Sequence, residues 1–116
     1  MRQRVYKYRF EIHLPTLDND GRPIPLEQIL QAFSDLRSRF TGFTTSSYVG
    51  FPNWFGWYRA PDGQEYWDNI YLVYVDVEDR QVTDAISYFQ DFRTKYVQIF
   101  GQSEIYIIYY PVTKVE

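Results

Sequence analysis

The chain contains no cysteine and a single histidine. Without cysteine there can be no disulfide, no zinc–thiolate site and no cysteine nucleophile. One histidine cannot build a metal site of spaced imidazoles, and no metal or cofactor is expected. A phosphate-binding glycine loop and a serine-hydrolase elbow are both missing. An excess of positive charge is lacking too: 12 Lys and Arg stand against 15 Asp and Glu, a net charge of −3. That balance argues against a generic nucleic-acid binder, which needs a basic footprint. No apolar run approaches a membrane span, and none of signal-peptide length follows Met1–Lys7. The expectation is a cytoplasmic protein with no membrane partner. No solenoid-like repeat, low-complexity tract or linker divides the chain, so residues 1–116 read as one domain.

Aromatic residues are abundant, 21% of the chain, with 12 Tyr, 9 Phe and 3 Trp. Tyrosine packs its ring while its hydroxyl seeks water or a partner, so such a composition points to half-wet surfaces as well as a core. The richest β-forming stretch is Tyr66–Val77, which reads as a central strand. Alternation puts Trp67, Asn69, Tyr71, Val73, Val75 and Val77 on one face and Tyr66, Asp68, Ile70, Leu72, Tyr74 and Asp76 on the other. Both faces are apolar in the middle, so both are expected to be covered.

Residues 4–14 alternate as well. Tyr6, Tyr8, Phe10, Ile12 and Leu14 share one face; Val5, Lys7, Arg9, Glu11 and His13 share the other. Pro15 and Asp18-Asn19-Asp20-Gly21 predict a stop and a turn. From Leu26 the period becomes helical, with Leu26, Ile29, Leu30, Phe33, Leu36 and Phe40 on one stripe and Gly42 as the expected C-terminal stop. Phe43–Val49 reads as a weak edge strand. Val82, Ala85, Ile86, Phe89, Phe92, Tyr96 and Phe100 predict a second helix, capped by Asp79 or Thr83 and stopped by Gly101. Glu104–Tyr110 predicts a last strand closed by Pro111. The order strand, helix, strand, strand, helix, strand predicts an α+β ferredoxin-like βαββαβ sandwich: a four-stranded antiparallel sheet with both helices on one face. Between its second and third strands, Gly50–Gln64 carries Phe51, Trp54, Phe55, Trp57 and Tyr58. This aromatic insertion is expected to fold back onto the body, with a short hairpin turning at Ala60-Pro61-Asp62-Gly63.

Phe40-Thr41-Gly42-Phe43-Thr44, Gly56-Trp57, Asp62-Gly63, Tyr66 with Asp68-Asn69, and Gln102-Ser103-Glu104-Ile105 together resemble a group of small uncharacterised bacterial proteins of ferredoxin-like fold. In those, a Phe-Gly-Gly-Phe-Thr helix exit precedes a Gly-x-Trp hairpin. The chain departs at Thr41, where the group has a first glycine, and in its extra aromatics at 51–55. The resemblance implies a fold and no catalytic residues. In architecture the chain is also similar to the dimeric α+β barrels, in which two sheets meet around a cavity, and it shares its element order with RNA-recognition domains.

Glu11 and His13 lie two apart on a strand, so both project from one face and could act as a base and its orienting carboxylate. The plain alternative is a surface histidine. Asp68, with Tyr74 and Asp76 on its face, is a second candidate for proton transfer against the plainer role of a hydrogen-bonding residue where the strand begins. Asp18, Asp20 and Gly21 lack the later acidic ligand of a calcium loop, so turn chemistry is expected there. Arg2, Arg4, Lys7 and Arg9 interleave with Tyr6 and Tyr8, a faint single-stranded RNA signal that alternation splits between two faces. Trp54, Phe55, Trp57, Tyr58, Trp67, Tyr74 and Tyr106 are the candidate binding or interface residues. These features favour a self-associating interaction module, a homodimer, over an enzyme. An unidentified protein partner or small molecule remains compatible, the latter with Tyr74, Tyr106, His13 and Glu11 around a barrel cavity.

Overall fold

The computed structural model describes residues 5–46, 52 and 54–115, without the side chains of Val5, Phe55 and Tyr58. The elements in chain order are β1 (Val5–Pro15), α1 (Leu26–Arg39), β2 (Thr44–Thr45), β3 (Trp54–Arg59), β4 (Glu65–Glu78), α2 (Val82–Phe100) and β5 (Tyr106–Lys114). They form an α+β fold with a five-stranded sheet ordered β2-β4-β1-β5, in which β3 also pairs with β4. Every pairing is antiparallel. The expected four strands become five because the aromatic insertion supplies β3.

The alternation of β1 decides which face the helices cover. Phe10, Ile12 and Leu14 stand opposite Val75, Val73 and Tyr71 of β4, and all six are buried in one core with both helices. The helix α2 contributes Ala85, Phe89, Phe92, Tyr96 and Phe100, spaced three or four residues apart so that they line one stripe. Phe89 stacks on Phe10 with ring centroids 4.8 Å apart and on Phe40 at 5.4 Å. The ladder continues through Phe92–Tyr96 at 4.6 Å and Tyr96–Phe100 at 5.0 Å. Gly101 ends α2 in the left-handed conformation, φ 65°, and the Gln102 N–H reaches back to the Val97 carbonyl at 3.1 Å. A side chain there would strain the backbone, which is why the stop is glycine. Neither Asp79 nor Thr83 caps the start of α2: a preceding 3-10 turn, Asp79–Gln81, carries a reciprocal box on Glu78 in which the Gln81 side chain accepts the Glu78 N–H.

The first helix departs from its sequence pattern on one side of its stripe. Ile29, Ala32, Phe33 and Leu36 are buried, while Leu26 and Leu30 are 48% and 50% exposed. The helix ends at Phe40, where the sequence puts its end two residues before Gly42; Phe40 is in extended backbone at φ −118° and turns its ring onto Phe89. Phe43 then stacks on Phe33 at 5.4 Å. The predicted strand 43–49 is described only to Ser46, and only Thr44–Thr45 pair, at the sheet edge; 47–49 lie outside the described residues. The last strand runs past Pro111 to Lys114. As an edge strand it pairs on one side alone, so a residue without an N–H is tolerated. Among the described residues, no helix is long and apolar enough to cross a membrane.

The strand β4 is the longest element. Fourteen residues rise ~46 Å, close to the 54 Å long dimension of the molecule. Only Ile70–Glu78 pairs with β1; residues 65–69 pair with β3 alone. The turn is the one expected, with Ala60 and Gln64 joined by a 2.8 Å backbone bond and Gly63 at φ 88°. The insertion therefore does not fold back. It extends the sheet as a two-stranded hairpin, and none of its described residues from 54 to 70 belongs to the core.

Replacing Phe89 by Ala removes the ring that joins α2, β1 and the end of α1. It should cost about 3–5 kcal/mol in urea unfolding, whereas Leu30→Ala should stay within about 0.5 kcal/mol.

Candidate functional site

Two surfaces remain once the core is accounted for. The first is the sheet face away from the helices. Strand β1 places Lys7, Arg9, Glu11 and His13 there, beside Leu72, Tyr74, Asp76 and Glu78 of β4 and Tyr106, Ile108 and Tyr110 of β5. The face is thus apolar at Leu72, Tyr74 and along β5, and charged along β1 and at Asp76 and Glu78 of β4. Its charges satisfy one another. Arg9 makes a two-pronged ion pair with Asp76, Nε–Oδ1 2.8 Å and Nη2–Oδ2 3.0 Å, and lies over the Tyr74 ring at 5.1 Å. The Asp76 hydrogen bond holds the guanidinium above its already high range.

The Glu11 and His13 pair expected from their spacing forms: His13 Nε2 stands 2.7 Å from Glu11 Oε2. Tyr110 donates its hydroxyl to the other oxygen, Glu11 Oε1, at 3.2 Å, and the Tyr106 ring meets the imidazole edge-on at 5.1 Å. Burial, then the adjoining Glu11 carboxylate, pushes the Tyr110 hydroxyl up, so it remains a donor. The sequence brings Glu11, His13, Tyr74 and Tyr106 to one face, and the structure adds Arg9, Asp76 and Tyr110. Asp68 stands apart. Its Oδ1 lies 2.9 Å from the Thr16 hydroxyl, which is also 2.7 Å from the Asn69 carbonyl oxygen. It ties the base of the hairpin to the end of β1.

Two clefts open elsewhere. One is lined by Arg39, Phe40, Thr41, Asp76, Gln81 and Asp84, the other by Asp35, Ser38, Arg39, Tyr88, Asp91 and Lys95. Neither includes His13, Glu11 or Asp68. In the second, Asp35 receives a 2.7 Å bond from Lys95 and another from the buried Tyr96 hydroxyl. Burial pushes Asp35 up, yet the Lys95 and Tyr96 bonds outweigh it and hold the carboxyl below its ordinary value. Burial first, then the Asp35 charge, raises Tyr96 strongly and pushes Tyr88 up to about 12. This link between α1 and α2 has no sequence signal, because Asp35 lies off the apolar stripe of its own helix.

The Asp18 loop is a turn, as expected. Asp18 Oδ1 accepts the backbone N–H of Asp20 at 2.9 Å and of Arg22 at 2.8 Å, leaving that oxygen engaged. Among the described residues, no group of three acidic or histidine side chains is placed to hold a metal. The basic run also fails to make a track: Arg9 is neutralised by Asp76, Lys7 stands opposite Glu78, and Arg2 and Arg4 lie outside the described residues.

The second surface is the hairpin. Trp54, Trp57 and Trp67 are 48%, 47% and 69% exposed, so they do not form a lid over the sheet. Trp57 and Trp67 are opposite each other across the ladder, rings tilted with centroids 6.4 Å apart. Arg59 lies over Trp57 at 5.6 Å and bonds Glu65 at 2.9 Å. The side chains of Phe55 and Tyr58, and all of Phe51, lie outside the described residues. In comparisons with known proteins, no family model, no curated protein and no solved structure matches the chain.

Burial raises the Asp68 carboxyl above its ordinary value, against the opposing hydrogen bonds from Thr16 and Asn69. A raised carboxyl favours the folded state when protonated; that contribution is complete below the ordinary carboxylate range and is lost as pH rises through the raised value. Asp68→Asn carries no such loss. Thermal melts should show the variant more stable than the parent at pH 7, with the difference closing below about pH 4.

Proposed function

We propose that the chain is a self-associating protein-interaction module, a homodimer, whose contact surface is the tryptophan-bearing hairpin. The observation that carries this reading is that all three tryptophans stand about half exposed or more on one projecting ribbon. Tryptophan is among the residues most enriched at binding hot spots, and Trp57 and Trp67 form an exposed apolar pair on one face of the ribbon while Trp54 stands on the other. The architecture proposed is the ferredoxin-like βαββαβ plan, in keeping with the resemblance drawn from residues 40–44, 56–57 and 102–105. In support, Ile70 pairs with Pro15 on one side and Trp54 on the other, and Val73 pairs with Ile12 and Thr45. The strands β2 and β3 therefore lie along the same edge of β4 and run in the same direction. Counted as one interrupted second strand, they leave the first and third of four strands at the centre, as that plan requires.

A ligand-binding or enzymatic barrel is less well supported. Its cavity needs His13 or Asp68 with unfilled hydrogen-bonding capacity facing an enclosed space. Instead Glu11 is held by His13 and Tyr110, Asp68 lies beside Thr16, and the two clefts are lined by other residues.

Light scattering on a sizing column tests the reading. At tens of micromolar the expected mass is twice the 14.1 kDa of one chain. A strict 14.1 kDa monomer at that concentration overturns it.

A further inference from the structure

The sheet has two outer edges, and they are protected unequally. On one side β5 carries Pro111 in its middle, a residue with no N–H to offer another strand. On the other, β3 is Trp-Phe-Gly-Trp-Tyr-Arg: no proline, no lysine, and one charge at its last position. Proline and inward or edge charges are the devices that keep sheet edges from pairing with other chains. The β3 edge lacks them, and among the described residues β3 pairs only with β4.

Resting on the self-association reading above, we infer that two copies of this chain join antiparallel through the outer edges of β3, about a two-fold axis at Trp57. The symmetry restricts the register. A two-fold axis normal to the sheet keeps equivalent faces on the same side, so residues pair only with residues of the same parity. Centring on Trp57 places it opposite Trp57 of the second copy and Arg59 opposite position 55. Since Trp67 is already across from Trp57 within each hairpin, a row of four tryptophans, 67–57–57–67, crosses the junction on one face. Aromatic pairs across antiparallel strands are among the stabilising ones. The register also avoids like-charge contact. The two Arg59 side chains fall about 13 Å apart along the ladder, beyond the screening length of about 8 Å at physiological salt.

The area sets the strength. Only Trp57 meets its copy across the axis, since Trp54 lies on the other face of β3 and Trp67 one strand back, and its exposed part amounts to roughly 100 Å² per copy, a small share of the ~800 Å² that a standard interface buries on each partner. The remainder must come from the paired backbone and its neighbours. The dimer is therefore of micromolar rather than nanomolar affinity, and dissociates on dilution.

The absence of cysteine makes the test clean, because any introduced thiol is the only one. Directly opposed residues in an antiparallel pair have Cα atoms about 4.5–5.5 Å apart, inside the range a disulfide spans. Trp57→Cys, mildly oxidised at tens of micromolar, should convert to a covalent dimer. Phe55→Cys with Arg59→Cys keeps Trp57 and should give the same product through two bridges. Thr113→Cys on β5 should form no covalent dimer, and circular dichroism should show all three variants folded like the parent. If the parent is a dimer but only Thr113→Cys cross-links, the β3 junction is wrong and self-association stands. If the parent is a monomer at that concentration, the underlying reading fails and this inference with it.

Discussion

The strand β4 outruns the strand beside it. Its register with β1 covers Ile70–Glu78, and the five residues before Ile70 have no place in the body of the sheet. Extended backbone must still bond its N–H and C=O groups, and β3 is the segment that does so. A lone two-stranded ribbon is marginal in water. Here it is reinforced by the Trp57–Trp67 pair, by Arg59 bonding Glu65, and by Thr16 beside Asp68 at its base. From this one mismatch in strand length follows the placement of every tryptophan outside the cover of the helices.

The body behind the ribbon divides its work between two faces of β1. Phe10, Ile12 and Leu14 pack against α2 and α1, where touching rings from Phe10 through Phe89 and Phe92 to Tyr96 and Phe100 form a continuous apolar interior. Arg9, Glu11 and His13 point the other way and are met by Asp76, Tyr74 and Tyr110. A half-buried charge is stable only when paired and hydrogen-bonded, and each of these is. These partners satisfy the charges of the face, and Leu72 within it is buried. This shifts the weight of the functional reading from the sheet face to the hairpin.

Much of this was legible in the residues. The alternation of β1 and β4 and the stripe of α2 gave the core, and Gly101 marked the helix stop. Ala60-Pro61-Asp62-Gly63 gave the turn. Glu11 and His13 could be paired because i and i+2 on a strand share a face whatever the fold. What failed needed knowledge of what lies opposite. Leu26 and Leu30 match a helical stripe, but the stripe does not say which of its residues the core receives, and both stand half exposed. Pro111 reads as a stop because it offers no N–H to a ladder, but at an edge that N–H is not needed and the strand runs on to Lys114. Arg9–Asp76, Tyr110–Glu11 and Asp35–Lys95 join residues 67, 99 and 60 positions apart, and only the register of strands and the packing of helices bring them together. The aromatic insertion was expected to turn inward because exposed rings are costly. Pairing with residues 65–70 of β4 holds it along the sheet instead.

Because every tryptophan lies on the hairpin, the chain's own fluorescence reports on that surface alone. Emission and acrylamide quenching should therefore be followed on dilution from tens of micromolar to nanomolar, alongside light scattering. The proposed association predicts a red shift and greater quenching as the mass falls to that of one chain. Dissociation with unchanged emission and quenching would place the contact elsewhere and contradict the account.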